Sequence, residues 1–551
     1  MTTKREAVVV GGGLAGITTS LILAERGWGV TLVEARPRLG GRATSYKRGD
    51  LTVDNGQHVF LRCCTAYRGL LERLGAGPDT GMTHLQDRLD IPLRSAADGT
   101  EARLRRNGLP APLHLARALG GYGLLPLRDR AKLGGPALAL RRTDPSSTEV
   151  DERGFGQFLR EHGQSQAAID RLWSVISTAT LNIAPDDASL ALAAKVFRTG
   201  LLETNDGADL GYATVPLGRI HDELARKALG NAGVTVLDST KAEPLAPDAQ
   251  SDNPTSDHMT AWVGQEPEFP QRPNTPQTTA GPEPARTEQQ LSTPQVAAGS
   301  SEPLPPDALS DNPTSENMTI QAGQGPDTLP ATAGRSAPLA PHPHAQSDNP
   351  TITVTDRAGN STVLTADAII LAVPHDTAAD LLPRSYRPTG FDGLGHSPIL
   401  NIHLRYDRPV LDGPFLAAVD SPAQWIFDRT AASGLDGPPG SYLAITVSAA
   451  DDLIDTPTRE LAALFEAEVA RLLPDAAGAR LEECFVTRER HATFRQERGS
   501  AALRPGPATG MPGVYLAGAW TDTGWPDTME SAVRSGIAAA RLVVDQTTGE
   551  G

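Results

Sequence analysis

The stretch from Ala7 to Arg42, AVVVGGGLAGITTSLILAERGWGVTLVEARPRLGGR, decides the fold. Ala7–Val10 is a short apolar, β-branched run of strand character. Gly11-Gly12-Gly13-Leu14-Ala15-Gly16 follows as a GxGxxG, and Ile17 to Arg26 has helical spacing that stops at Gly27. Trp28–Val33 then reads as a second strand ending at Glu34. Strand, glycine loop, helix, strand and acid in that order predict a dinucleotide-binding βαβ unit. Gly11 permits a tight turn, Gly13 lets the backbone approach a pyrophosphate, and Gly16 lets the helix pack on the strand. The first helical N–H groups, at Leu14 and Ala15, together with the helix dipole, favour phosphate. Glu34 is placed to accept hydrogen bonds from ribose hydroxyls.

The residues after Glu34 separate the flavin nucleotide from nicotinamide. Ala35 leads into Leu39-Gly40-Gly41-Arg42, a second glycine pair with an arginine. A plain nicotinamide unit has no need of these. A buried FAD pyrophosphate does, because Arg42 offsets its charge while Gly40 and Gly41 allow close backbone approach. Further on, LTVDNGQHVF (Leu51–Phe60) is a strand broken at Gly56, with Asp54 and His58 as candidates for acid–base work. Near the C-terminus, Gly513–Gly518 is a strand entering a glycine turn. The loop Ala519–Asp527 carries Asp522, a third acid–base candidate, and a helix starts near Thr528 and Met529 with Asp527 or Thr528 as its cap. Its positive end is expected to face the flavin pyrimidine.

These motifs, with ADAIILAVP (Ala366–Pro374) and LAGAWTDTGWPDTMESAVRSG from Leu516, resemble the FAD-dependent amine oxidase and carotenoid desaturase superfamily. Within it, VDNGQHVFLRCCTAYRGLLERLG from Val53, LNIAPDDAS from Leu181 and RERHATFRQ from Arg488 resemble the hydroxysqualene dehydroxylases, also called squalene-associated FAD-dependent desaturases. The resemblance implies non-covalent FAD held by Gly11, Gly13, Leu14, Ala15, Gly16, Glu34, Ala35, Gly40, Gly41, Arg42, Gly56, Ala242, Gly518, Asp522 and Met529. It implies a lipophilic isoprenoid substrate, hydroxysqualene reduced to squalene in hopanoid or triterpenoid supply. Two alternatives stand beside that reading: a phytoene-type desaturase or isomerase, and a non-catalytic flavin-binding scaffold. Partner expectations are peripheral contact with the inner face of the membrane and with other squalene-pathway enzymes. In one place the chain departs from the superfamily pattern: Ala519 stands where an acid usually follows LAG.

Composition narrows the class. The formal net charge is −16, which argues against nucleic acid as a partner, since phosphate neutralisation needs a Lys/Arg surface. Three cysteines, Cys63, Cys64 and Cys484, give no disulfide framework and no zinc spacing, so no metal is expected and a reducing cytoplasm fits. Met1–Glu6 runs directly into the first strand, too short and too glycine-rich for a signal peptide.

The fold expectation is α/β. A Rossmann-like FAD-binding domain (1–80, 212–243, 351–382 and 481–551) is joined to a discontinuous α+β substrate domain (81–211 and 383–480). Gly120–Leu127 and Leu190–Leu202 are expected to line an apolar tunnel. Residues 244–350 read as a disordered insertion. The span 241–350 contains 20 of the 45 prolines and 14 acids against 4 bases, and the motif SDNPT recurs from Ser251, Ser310 and Ser347. It interrupts what reads as a hairpin between Gly233–Thr240 and Thr351–Asp356.

Overall fold

The computed structural model describes residues 4–246, 349–435 and 440–548, so most of the predicted insertion (247–348) lies outside the described residues. Strand β1 (Glu6–Val10) runs through the Gly11–Gly13 turn into helix α1 (Leu14–Glu25), and β2 (Gly29–Val33) returns beside β1 in parallel register. Three further strands, β3 (Thr235–Leu237), β4 (Ala368–Leu371) and β5 (Val514–Leu516), complete a parallel sheet in the order β3-β2-β1-β4-β5. A parallel sheet covered on its faces needs near-continuous apolar strands, and Ala368–Leu371 is buried at every position. Helix α1 is apolar nearly all round and nine of its residues are buried, because it is wedged between this sheet and helix α2 (Met529–Thr548).

A second sheet of seven strands has the order Leu481–Thr493, Ser397–Tyr406, Ser441–Ser448, Trp425–Asp428, Phe415–Val419, Asp90–Ser95, Glu101–Arg105. All neighbours are antiparallel except Phe415–Val419 with Asp90–Ser95. Leu481–Thr493 therefore pairs along Ser397–Tyr406, although the sequence reading grouped it with the C-terminal flavin segment. Its long run of ladder partners holds it there until Phe494 turns the chain back toward β5.

The parallel α/β core and the mixed second sheet match the expected fold class. One pairing differs. The strand Thr351–Thr355 takes Lys241–Ala242 as its antiparallel partner, not Gly233–Thr240. Thr235–Leu237 is already committed to the edge of β2, where each residue stays in register with Thr31–Val33. Leu190–Phe197, expected to line a tunnel, is a helix whose Leu190, Ala193 and Ala194 are fully buried in an apolar cluster with Phe155 and Trp173. Among the described residues no helix is long and apolar enough to cross a membrane.

A buried ion pair ties the segment after the second glycine motif to the second sheet. Asp54, at the end of the strand Leu51–Asp54, accepts Arg429 Nη2 at 2.7 Å, Ser45 Oγ at 2.6 Å and Leu217 N at 2.9 Å. Arg429 also donates to the Ala213 carbonyl at 2.7 Å. Removing one member leaves an uncompensated buried charge. Arg429→Met is expected to cost about 3–5 kcal/mol in urea unfolding. Asp54→Asn keeps the carbonyl that Ser45 and Leu217 address but leaves the Arg429 guanidinium buried without its counter-charge, and is expected to cost a similar amount.

Candidate functional site

The two glycine loops meet face to face. Gly11 sits at φ +108°, and a Cβ there would lie 2.3 Å from the Ala372 carbonyl oxygen. At Gly16 a Cβ would lie 1.9 Å from the Gly11 oxygen, so the helix has no room for any side chain at this crossing. Gly40 N donates to Gly12 O at 2.8 Å, which brings Gly41 (φ +58°) against Gly13. Gly13 caps α1 without any side-chain hydrogen bond, and the first turn of α1 contains no acid. The donors of that first turn, including Leu14 and Ala15, therefore face a slot walled by backbone, with Arg42 half-buried at its edge. Glu34 is buried at the end of β2. Its Oε2 accepts Gly12 N at 2.7 Å and its Oε1 accepts Arg36 N at 2.8 Å. Each carboxylate oxygen keeps a second lone pair for a ribose hydroxyl. Beside it opens a cleft of about 790 Å³ that brings Ala35 and Ala242 together with Pro37, Ser239 and Glu243. The residues present fit an FAD: a slot for pyrophosphate, an acceptor for ribose and an open cleft beyond it.

The C-terminal part is organised by hydrogen bonds that the sequence does not advertise. Gly518 (φ +153°) leaves space that a Cβ would take from the Trp520 indole, and its N–H donates to Ser535 Oγ in α2. Arg504 donates to the carbonyls of Ala519, Trp520 and Thr521, and Ser531 Oγ also donates to Ala519 O. The residue in the position usually held by an acid is thus pinned through its backbone. Thr528 caps α2 by accepting Ser531 N, and Met529 opens the helix against the core of the flavin sheet. Asp527 turns inward instead and accepts Phe494 N at 2.9 Å. Trp525 lies between two cations, Lys195 and Arg534, each 4.8 Å from its ring centroid.

The three acid–base candidates from the sequence fare differently. Asp54 is an acceptor for three donors in the buried ion pair described above. Asp522 is exposed in a turn, where Oδ1 accepts Gly524 N at 3.2 Å. Neither geometry presents a proton to a substrate. His58 is half-buried with Nδ1 3.0 Å from the Gly56 carbonyl, and burial pushes its pKa below the ordinary histidine value. Gly56 is buried against this imidazole. The adjoining Asn55 carbonyl accepts Asn401 Nδ2 of the second sheet, so the loop is fixed to that sheet.

Two groups at the site escaped sequence reading. Asp527 was visible as a cap candidate, but not as a half-buried carboxyl held by Phe494 N. Burial raises its pKa above the ordinary carboxylate value, offset in part by Arg42, the Phe494 N–H and Arg504. The second is a row of imidazoles, His375, His396 and His491, brought together from three separate segments. His396 and His491 stack at 3.8 Å with Asp376 Oδ2 at 3.6 and 3.4 Å from their nearer nitrogens. Asp376, His396 and His491 each present one ligand-type atom, and these atoms lie within 4.8 Å of one another. Burial, the neighbouring His396 charge and Arg42 hold the His375 pKa down at about 4.

The parallel sheet, its paired glycine loops and the acid at the end of β2 define a nucleotide-dependent oxidoreductase. The chain belongs to the flavin containing amine oxidoreductase family, whose model matches residues 14–241 and 344–544. It is an FAD-dependent oxidoreductase and not a non-catalytic flavin-binding scaffold. Hydroxysqualene dehydroxylase of Rhodopseudomonas palustris is 26% identical over 97% of this chain and 97% of its own. The enzyme of the same name from Sinorhizobium fredii is 38% identical over 183 residues, 33% of this chain and 39% of that one. The 15-cis-phytoene desaturase of Synechococcus elongatus is 22% identical over 97% of this chain and 95% of its own. An oxidoreductase from Methanosarcina mazei shares the fold with a TM-score of 0.61 at 12% identity, covering 97% of this chain and all of that one.

Two outcomes follow from this geometry. Glu34→Gln keeps an acceptor for Gly12 N but loses the charge offered to ribose. It is expected to weaken FAD by about ten- to a hundredfold, the worth of a charged hydrogen bond, read from flavin fluorescence on dilution. Asp527 keeps its proton in the folded chain to higher pH than in the unfolded chain. The folded state then binds more protons, and stability falls as pH rises through and above the ordinary carboxylate range. Asp527→Asn removes this term. The melting temperature of wild type relative to Asp527→Asn is therefore expected to fall from acidic to neutral pH.

Proposed function

We propose that the chain catalyses FAD-dependent reductive dehydroxylation of hydroxysqualene to squalene. The observation that carries this reading is the likeness to the Rhodopseudomonas hydroxysqualene dehydroxylase along 97% of both chains. The reaction replaces an allylic C–OH by C–H. The carbon–oxygen bond breaks as the hydroxyl takes a proton and leaves as water, and the carbon takes up a hydride. Reduced FAD, when bound, supplies that hydride and is left oxidised.

The protein's own share is binding, water exclusion and the proton. The glycine loops, Glu34 and Arg42 hold the pyrophosphate and ribose. Arg504 and Ser531 rigidify the loop before α2. Of the carboxyls near this loop, Asp527 suits the proton better than Asp54 or Asp522. Its burial favours the neutral acid, and the one donor its carboxylate meets among the described residues, Phe494 N on Oδ2, leaves the other oxygen for a hydroxyl. His58 is the weaker donor because burial disfavours its cationic form. The Pro526–Met529 segment carries Asp527 on the rim from which α2 starts, next to the segment the family motif assigns to flavin.

The second reading, a phytoene-type desaturase, draws on full-length likeness to the Synechococcus enzyme. It runs hydride in the opposite direction, from substrate carbon to flavin. Photoreduced protein mixed anaerobically with hydroxysqualene separates the two. Reoxidation of the flavin with squalene as product is expected. Turnover of phytoene alone would replace the first reading with the second. Asp527→Asn is expected to retain flavin yet lose about 10²- to 10⁴-fold in the rate of that reoxidation, the range for removing a general acid. Acid precipitation is expected to release the flavin, as non-covalent binding requires.

A further inference from the structure

Seven large apolar side chains are exposed among the described residues, and four of them, Leu109, Leu113, Leu127 and Leu138, fall within one short run of chain. Leu127 is 75% exposed and Leu113 56%. The run is a succession of short helical turns, Leu113–Leu115, Ala116–Gly120, Leu127–Arg130 and Gly134–Arg142. Packing does not account for these leucines. The same run sends Leu124, Leu125, Leu133 and Leu140 inward to the core cluster. The segment is apolar on both sides, a pattern that singly scattered surface leucines do not produce.

The charge of the same segment is the second observation. From Asn107 to Arg142 there are six cations (Arg117, Arg128, Arg130, Lys132, Arg141 and Arg142) and one acid, Asp129, which is buried. This +5 stretch belongs to a chain of net charge −16. Arg117, Lys132, Arg141 and Arg142 are exposed and form no ion pair among the described residues. Leu138 stands one helical turn before Arg141 and Arg142 in Gly134–Arg142, and Leu113, in the turn Leu113–Leu115, lies four residues before Arg117 in the adjoining Ala116–Gly120. Arg130 braces the turns from within, donating to the carbonyls of Leu125 and Gly120.

We infer that residues 107–142 form a docking surface for an anionic lipid bilayer, with Leu109, Leu113, Leu127 and Leu138 entering the acyl boundary and the surrounding cations meeting lipid headgroups. Exposed leucines favour a hydrocarbon boundary, and long basic side chains reach from it to anionic headgroups. Each such cation adds about fivefold to partition onto an anionic surface, an effect lost at high salt. The local charge chooses a bilayer of anionic lipid over a two-fold contact between copies, which would set this +5 stretch against itself. The surface would let the enzyme draw a water-insoluble substrate from the membrane. That use rests on the proposed function, whereas the docking itself does not.

Flotation of the FAD-loaded full chain with two vesicle types tests the inference. One is phosphatidylcholine alone and the other phosphatidylcholine mixed with phosphatidylglycerol. The protein is expected to float with the phosphatidylglycerol vesicles and to be released by high salt. Leu113→Ser/Leu127→Ser is expected to lower binding at least about tenfold, and Arg128→Gln/Lys132→Gln to lower it and flatten its salt dependence. Flavin content and melting temperature serve as folding controls for both variants. Failure of the wild type to float with either vesicle would overturn the inference. So would undiminished flotation of both variants, or a change in sedimentation coefficient in place of lipid binding, which would make the patch a contact between copies. Turnover of detergent-dispersed hydroxysqualene is measured alongside. Lost flotation with retained turnover sinks the surface alone, and the reverse sinks the substrate reading alone.

Discussion

Helix α1 is approached so closely on two sides that neither crossing point has room for a side chain. At Gly16 a Cβ would lie 1.9 Å from the Gly11 carbonyl oxygen, and at Gly536 in α2 a Cβ would lie 2.4 Å from the Ala15 oxygen. Thr19 Oγ1 reinforces the second contact by bonding the Gly536 carbonyl. These two close approaches set α1 down on β1 and lock the C-terminal helix onto it. They aim the unpaired donors of its first turn into the slot between the glycine loops. This packing holds the C-terminal helix against the helix that follows the first glycine loop, and the proposed flavin site depends on it.

The second sheet is joined to that frame by polar contacts of high cost if left unmade. Asp54 and Arg429 neutralise each other in the interior, and Asn401 grips the loop containing Gly56 and His58. Around the flavin slot the protein keeps an excess of groups whose charge state burial controls. Asp527 is pushed toward the neutral acid, while His221 and His403 have pKa values lowered to about 4 and about 3 and stay neutral imidazoles. His221 is held between the Ala43 carbonyl and the Tyr67 hydroxyl, and His403 between Tyr442 and Thr487. Both imidazoles are thus neutral hydrogen-bonding groups of the interior.

The contrast between Asp522 and Asp527 shows where sequence reading stops. Both acids lie in one short loop, and nearness to the LAG turn favoured Asp522. The loop's path is set by Arg504, reaching in from another segment to take three successive carbonyls, and this turns Asp522 out to solvent and Asp527 inward. Thr235–Leu237 gives the same lesson for pairing. Its local pattern suits a hairpin with Thr351–Thr355, yet the vacant edge of β2 claims it and Lys241–Ala242 takes its place.

From sequence alone came the features encoded within a few residues of one another: the glycine turn, the start of α1, the acid closing β2, the second glycine pair and the C-terminal helix. Their physics is local, since backbone conformation, missing Cβ atoms and helix dipoles need no distant partner. Tertiary structure alone decided the Asp54–Arg429 pair, the inward turn of Asp527, the meeting of His375 with the stacked His396 and His491, and the outward leucines of residues 107–142. Each of these depends on which segments meet and which faces are left over once the core is filled. That is a balance of burial and pairing across hundreds of residues, and no local pattern carries it.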